Sequence, residues 1–457
     1  MTRRDLLTVM GSGFGMLALR GGAYAGVTAD PLAPKPPHFA PKAKRIINLF
    51  LNGGPSQVDT FDPKPMLDKY HGKPIPSGNL RTERKTGSLL RSPFTFQKHG
   101  QSGIEVSEIF PKLAEHIDDV CVIRSMFTDR PNHEPSLFMM NCGEKLPGRP
   151  SMGSWLTYGL GTINQNLPGF VVLCPGLPVL GHPLWSATFL PAVYQGTYIN
   201  NKEKDPDLLI QNIHNKALSR ADQRQELDLL AALNRRHMAA QGSDPELEAS
   251  IQAAEIAFRM QLEAPEAFDI GKETEKTRER YGDTEFGRGC LIARRLSERG
   301  VRMVQVYFGN NQPWDNHDDI LIHRSLAAQA DPAIGALLQD LKQSGMLDDT
   351  LVMIGGEFGR TPAVEVSGLV KVQNGRDHNS HGFSYLLAGG GVRRGTVYGA
   401  TDEFGFKAVE KPVHIHDLHA TVLRLMGLDH TRLTYRYSGR DFRLTDVAGE
   451  VVKDLIA

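Results

Sequence analysis

Twice in this sequence an apolar strand-like run breaks on a glycine pair and then delivers polar groups. Leu351-Val352-Met353-Ile354 ends on Gly355-Gly356 and is followed by Glu357, Arg360 and a loop closing Arg376-Asp377-His378-Asn379-Ser380-His381-Gly382. Ile46-Ile47-Asn48-Leu49-Phe50-Leu51 ends on Asn52-Gly53-Gly54 before Asp59 and Asp62. A buried strand with polar groups at its carboxyl end is how open α/β sheets present ligands. Two histidines three apart beside an aspartate add metal chemistry, because neutral imidazoles and a hard carboxylate suit zinc or manganese. His378 and His381 are therefore candidate ligands.

A β-α-β unit strengthens that reading. Arg302–Phe308 is expected as a strand, residues 309–319 as a loop carrying Trp314-Asp315-Asn316-His317, and a helix from Asp331-Pro332 to Gly345 leads to a strand over Thr350–Ile354. Such crossovers are parallel and right-handed, so both strands finish at one edge and bring Asp315 and His317 near Glu357. His378 and His381 precede another strand, Phe383–Leu387, which must run antiparallel for them to reach that edge. The expected fold is α/β: a mixed, mostly parallel central sheet sandwiched between helices.

Other segments are placed around this sheet. A helix is expected from Ile109 to His116, a strand over Val120–Ile123, a helix from Ser151 to Leu160 and a strand over Phe170–Leu173. Between Pro206 and Arg299 the pattern turns helical, with Leu227, Leu230 and Leu233 as an inward stripe and Ser243-Asp244-Pro245-Glu246 as a helix start. The loop Thr128–Ser136 follows a strand, and Pro131 and Pro135 stiffen it, so His133 and Ser136 should also reach the ligand edge. His414, His416 and His419 are read as solvated at a helix start, with metal ligation as the alternative.

The first residues read as a leader. Arg3-Arg4 is a twin-arginine start, a glycine-rich segment runs to Leu19, and Ala23-Tyr24-Ala25 supplies a cleavage site. Residues 1–25 are expected to be a signal peptide, 26–43 a proline-rich tether, and 44–457 a single domain with a helical insertion at 206–299. Export places the mature chain in the periplasm or outside the cell. Lys+Arg and Asp+Glu are both 52, which argues against a nucleic-acid or polybasic membrane partner. No mature stretch is apolar enough to span a membrane. The four cysteines (121, 142, 174 and 290) show no Cys-x-x-Cys spacing, so a zinc ribbon is not expected.

Six ordered motifs carry a family resemblance. They are the Arg-Arg leader, Asn52–Ser56, Trp314–His317, Glu357–Pro362, Asp377-His378, and Gly439–Val447. With these the chain resembles the exported bacterial family of the domain of unknown function fifteen-oh-one, itself similar to sulfatases and the alkaline phosphatase superfamily. The resemblance implies metal ligands at strand ends: Asn52 or Asp59 in place of the first metal acid, Asp315 with His317, Glu357, and His378 or His381. It aligns His133 with the nucleophile, where sulfatases have a modified cysteine and phosphatases serine or threonine. Cys290, with Arg294 four later, lies in a helical setting that disfavours a sulfatase of that type. Ser136, Thr128 or a metal-bound hydroxide is left to attack. Arg360 is expected either to clamp the anion in a planar fork or to form a structural ion pair. The function expected is hydrolysis of phosphate or sulfate esters, on small molecules or carbohydrates, with one or two divalent ions (zinc, manganese or calcium). The alternative is a non-catalytic binding protein on a degenerate sulfatase-like scaffold.

Overall fold

The structure, a computed structural model, describes residues 31–457 apart from 79, 206–208, 210–217 and 242–244. Its centre is a nine-stranded sheet. The strands used below are β1 (Arg45–Phe50), β2 (Val120–Phe127), β3 (Phe170–Leu173), β4 (Thr197–Ile199), β5 (Met303–Tyr307), β6 (Thr350–Gly355), β7 (Gly359–Glu365), β8 (Arg376–Asn379), β9 (Phe383–Ala388) and β10 (Thr396–Tyr398). The sheet order is β10-β2-β9-β6-β1-β5-β3-β4, the ninth strand is the short Val413–His414 alongside β2, and β7 pairs with β8 in a separate small sheet.

β1 lies parallel to both β5 and β6, and β9 is antiparallel to both β6 and β2. β2 therefore runs with the main set, and β9 is the reversed strand that the placement of His378 required. The carboxyl ends of β1, β2, β5 and β6 meet the amino end of β9 at one edge.

Alternation along the strands separates two cores. Ile47, Leu49, Val304 and Val352 pack on one face with α1 (Glu285–Glu298) and α2 (Ile322–Gln343). Ile46, Phe50, Met303 and Met353 pack on the other with the helices His133–Cys142, Met152–Leu160 and Ile415–Leu425. The sheet is thus sandwiched between helices, as expected.

Some boundaries differ. The crossover helix begins at Ile322, not at Asp331, and carries Pro332 inside it. Leu326, Ala327 and Ala330 are buried one turn upstream, and that packing outweighs the helix-start preference of Asp-Pro. Asp331 instead accepts the N–H groups of Lys112 and Leu113 at 2.7 and 2.8 Å. These cap a short helix, Pro111–Ala114, which replaces the longer one expected over Ile109–His116. The Val120 strand continues to Phe127.

In the helical stretch, Arg220–Gln241 packs along Pro245–Phe268 with Leu227 and Leu230 buried and Leu233 exposed. The Ser243-Asp244 helix start lies outside the described residues, as does the leader. Residues 31–43 are packed on the body: Leu32 is buried, and Lys35, Phe39 and Lys42 donate backbone N–H to Leu160, Gly427 and Leu425. No helix among the described residues is long and apolar enough to cross a membrane.

Candidate metal centre

Four side chains converge at the carboxyl edge: Asp315 and His317 from the loop after β5, His378 from β8, and His133 from a helix start. His317 Nε2 lies 2.8 Å from Asp315 Oδ1, His378 Nε2 3.0 Å, and His133 Nε2 3.3 Å. The Nε2 atoms of His317 and His378 are 3.0 Å apart. A tetrahedral ion with bonds of about 2.0–2.1 Å sets its ligand atoms about 3.3 Å from one another. The four separations given are those of ligand atoms sharing one ion, and His133, Asp315 and His378 form a group that could hold it.

The local chain conformation explains the convergence. Gly53 has φ +112°, and a Cβ there would meet the Asp315 backbone N at 2.6 Å. A Cβ on Gly356 would meet the Leu51 carbonyl oxygen at 2.8 Å. Side chains at these two glycines would push the Asp315 and Glu357 loops off the end of β1. His133 is the first residue of its helix, after Asn132 as N-cap. His378 lies in β8 opposite Arg360 in β7.

Each histidine is held from behind by a carboxylate. His133 Nδ1 donates to Glu357 at 2.7 Å, His378 Nδ1 to Glu83 at 2.5 Å, and His317 Nδ1 to Glu365. These bonds fix the tautomer with the lone pair on Nε2, as in the carboxylate–histidine–metal arrangement of metalloproteins. Lone pairs 3.0 Å apart call for a cation between them. His133 Nε2 is buried and, among the described residues, hydrogen-bonds to nothing, although it faces Asp315 Oδ1 at 3.3 Å, as a metal-binding nitrogen would. His133, His378 and Asp315, with His317 beside the last two, offer imidazole nitrogens and a carboxylate oxygen that fit a borderline divalent ion such as zinc.

Electrostatics point the same way. Burial pushes the Asp315 carboxyl up, but the Arg360 charge and the close approach of the His133, His317 and His378 rings hold it well below the usual carboxylate range. Burial disfavours a charged His133, yet the neighbouring carboxylates of Asp315 and Glu357 raise its pKa overall. The His378 hydrogen bond lowers Glu83, against the opposing effect of burial. Asp315 and Glu83 remain partly exposed, so the cluster opens to solvent on that side.

Of the residues singled out from sequence, His133, Asp315, His317 and His378 come together. Glu357 is fully buried with its oxygens on the Gly53 N–H and on His133, so it orients a ligand and is not one itself. Asn52 is turned away: its amide donates to the carbonyls of Gly309 and Asn311 and fixes the loop before Asp315. Asp59 is neutralised by a buried pair with Arg376 at 2.7 Å and accepts the Ser56 hydroxyl. His381 bonds the Arg81 carbonyl at 3.0 Å, outside the cluster.

Arg360 is fully buried, and its guanidinium is taken up by the carbonyls of Gly53, Gly54 and Arg376 and by Asp315 at 2.6 Å. It is the structural ion pair, with Asp315 as the acid, and offers nothing to a substrate anion. The Ser136 hydroxyl is buried and donates to the Arg130 carbonyl at 2.7 Å. Cys290 is buried in α1, and Arg294 pairs with Glu273 and Glu298. The three histidines near 416 are mostly buried, not solvated: His416 and His419 bond the carbonyls of Gly143 and Met140 at 2.8 and 2.9 Å.

Sequence reasoning missed Glu83, Glu365 and His323. Glu83 lies in an irregular stretch without periodicity, and Glu365 at the far end of β7 from Arg360. His323 is buried in the first turn of α2, accepts the Ser56 N–H at 3.0 Å and donates Nδ1–H to Asn316 at 2.9 Å. It thereby anchors the loop between Asp315 and His317. Its helical position, four residues past the expected loop, gave no signal.

A family model described as protein of unknown function (DUF1501) matches residues 43–456. No curated protein sequence matches the chain. Among solved structures, the lipoteichoic acid synthase LtaP from Listeria monocytogenes is 13% identical, with 97% of this chain and 80% of that one covered and a TM-score of 0.36. The PsFucS1 sulfatase from Pseudoalteromonas sp. is 13% identical, covering 94% and 72%, with a TM-score of 0.34. The alkaline phosphatase from the Antarctic bacterium TAB5 is 10% identical, covering 85% and 99%, with a TM-score of 0.34. Scores this low say nothing of activity. The family match, in contrast, spans nearly all the described residues, and the chain belongs to the DUF1501 family.

Proposed function

We propose that this protein is an exported, metal-dependent hydrolase of phosphate or sulfate esters, related to the alkaline phosphatase and sulfatase group. The observation that carries the reading is the convergence of three carboxylate-backed Nε2 atoms on Asp315 Oδ1. A divalent ion held there would polarise an ester oxygen and bring the pKa of a bound water towards ~7. The chain itself contributes orientation: Glu357, Glu365 and Glu83 hold the rings, and Arg360 holds Asp315.

A side-chain nucleophile has little support. Among the described residues no serine, threonine or cysteine side chain hydrogen-bonds to His133, Asp315, His317 or His378. Burial pushes the Cys142 thiol up to about 12 and raises Cys121, Cys174 and Cys290 as well. Attack therefore falls to water. The second reading, a binding protein that holds metal without turnover, is favoured by one observation: Arg360 is fully buried against backbone carbonyls and Asp315 instead of facing the open side of the cluster.

The test is a panel of phosphate and sulfate monoesters and diesters, including sulfated and phosphorylated sugars, offered to zinc- and to manganese-loaded protein. Turnover that disappears in His133→Ala and persists in Ser136→Ala supports the hydrolase. Full metal occupancy with no turnover across the panel contradicts it and leaves the binding reading. Export is part of the proposal, with the mature chain starting at Gly26. Arg3→Lys combined with Arg4→Lys should leave precursor in the cytoplasm, and unimpeded export would refute the leader.

A further inference from the structure

We propose a second cation site, lined by oxygen and centred on Asp377, on the side of His317 and His378 away from the nitrogen cluster. Asp377 is fully buried in β8. Its Oδ2 accepts the Arg84 N–H at 2.6 Å, while its Oδ1 has no hydrogen-bond partner among the described residues. Buried carboxylate oxygens are rarely left without a proton donor or a cation, because desolvation is then uncompensated.

The surroundings of Asp377 say which of the two it is. Potential ligand atoms of Glu83 and His378 lie within 4.8 Å of it and of one another, and so do those of Glu365 and His317. Oxygen ligands opposite one another across a cation with bonds of about 2.0–2.6 Å are separated by about 4–5 Å. The Nδ1–H groups of His378 and His317 are already given to Glu83 and Glu365. No proton from either ring is left for Asp377. Two carboxylates thus stand close to Asp377, and among the described residues the Lys or Arg paired with any of the three is Arg84, which meets Glu365 at 3.3 Å. Two negative charges remain uncompensated on a partly buried edge.

The donors are hard oxygens, and Glu83 is partly exposed, which leaves room for water on the ion. That chemistry suits magnesium, manganese or calcium with several waters retained, and it does not suit zinc. The site also has a mechanical consequence. Arg81, Glu83, Arg84 and Lys85 strap across the edge, bonding His381, His378, Asp377 and Val366 in turn. A cation shared by Glu83 and Asp377 would pin this strap and so keep Glu83 behind His378.

The inference rests on the nitrogen cluster only in assigning zinc to it, and the experiment separates the two. Zinc-loaded protein is titrated with Mn(II), read by calorimetry and by electron paramagnetic resonance. The expected result is one further ion per chain, with affinity at least tenfold weaker in Asp377→Asn and in Glu83→Gln and with zinc content unchanged. Both substitutions keep an acceptor for the groups they now bond. If Asp377→Asn fails to fold, Glu83→Gln carries the comparison. Absence of uptake of Mn(II), Mg(II) or Ca(II) at millimolar concentration overturns the proposal, as does wild-type binding by Glu83→Gln. Loss of zinc alone, with Mn(II) still bound through Asp377, would count against the nitrogen cluster and not against this site.

Discussion

His133, His317 and His378 at the carboxyl edge of the sheet give Nδ1–H to carboxylates and turn Nε2 towards Asp315, while His416 and His419, at the start of the helix Ile415–Leu425, turn Nε2 to backbone carbonyls. His414 serves that helix as its cap, accepting the His416 N–H. The two groups are alike in residue type and in burial. They differ in what stands behind each ring. A carboxylate makes the far nitrogen a stronger ligand, whereas a carbonyl merely consumes the one proton that a neutral ring has. The pKa directions follow: His133 is raised by its acids in spite of burial, and burial pushes His419 down to about 3. Histidine density in a sequence is therefore a poor guide to metal, and acids behind the rings are a better one.

The largest effect that would break this contrast comes from Asp315. It stands in front of the three ligand rings and also neutralises Arg360, which is fully buried. Asp315→Ala leaves that guanidinium without its acid, and breaking a buried pair in this way costs about 3 kcal/mol or more. Denaturant unfolding of metal-free protein is the measurement, since the loss should appear with no metal present. An unchanged midpoint would mean that Arg360 is satisfied by the carbonyls alone.

A smaller effect tests the other group. His419 is neutral and buried, with a folded-state pKa of about 3, below its unfolded value of about 6.5. A depressed pKa contributes stability that is present above pH ~6.5 and is lost as pH falls towards 3, because the unfolded chain takes up the proton first. At pH 5.5 the loss is about 1.4 kcal/mol. His419→Gln should flatten the stability profile between pH 6.5 and 3 by one proton. A profile as steep as the wild type would show that other groups set the acid limit.

The comparison also explains which features were legible in the sequence. Strands ending on Gly53-Gly54 and Gly355-Gly356 could be read because close backbone approach at a shared edge leaves few alternatives to glycine. The reversal of β9 followed from the need to bring His378 to that edge. Arg360 was ambiguous since a planar fork matches carbonyls as well as it matches an anion. Glu83 was invisible: its place behind His378 is set by tertiary contact across a stretch with no repeat. The His416 and His419 partners lie in another helix, and nothing local announces a carbonyl acceptor. Asp377 was noticed beside His378, but its unpaired oxygen is a property of the fold.

The most direct test of the nitrogen cluster is elemental analysis of protein purified gently and without chelator. The account expects at least one tightly held divalent ion per chain, lost in His378→Ala and retained in His381→Ala, since His381 bonds only the Arg81 carbonyl. Metal at trace level in the wild type, or an ion content that His378→Ala leaves unchanged, would contradict it.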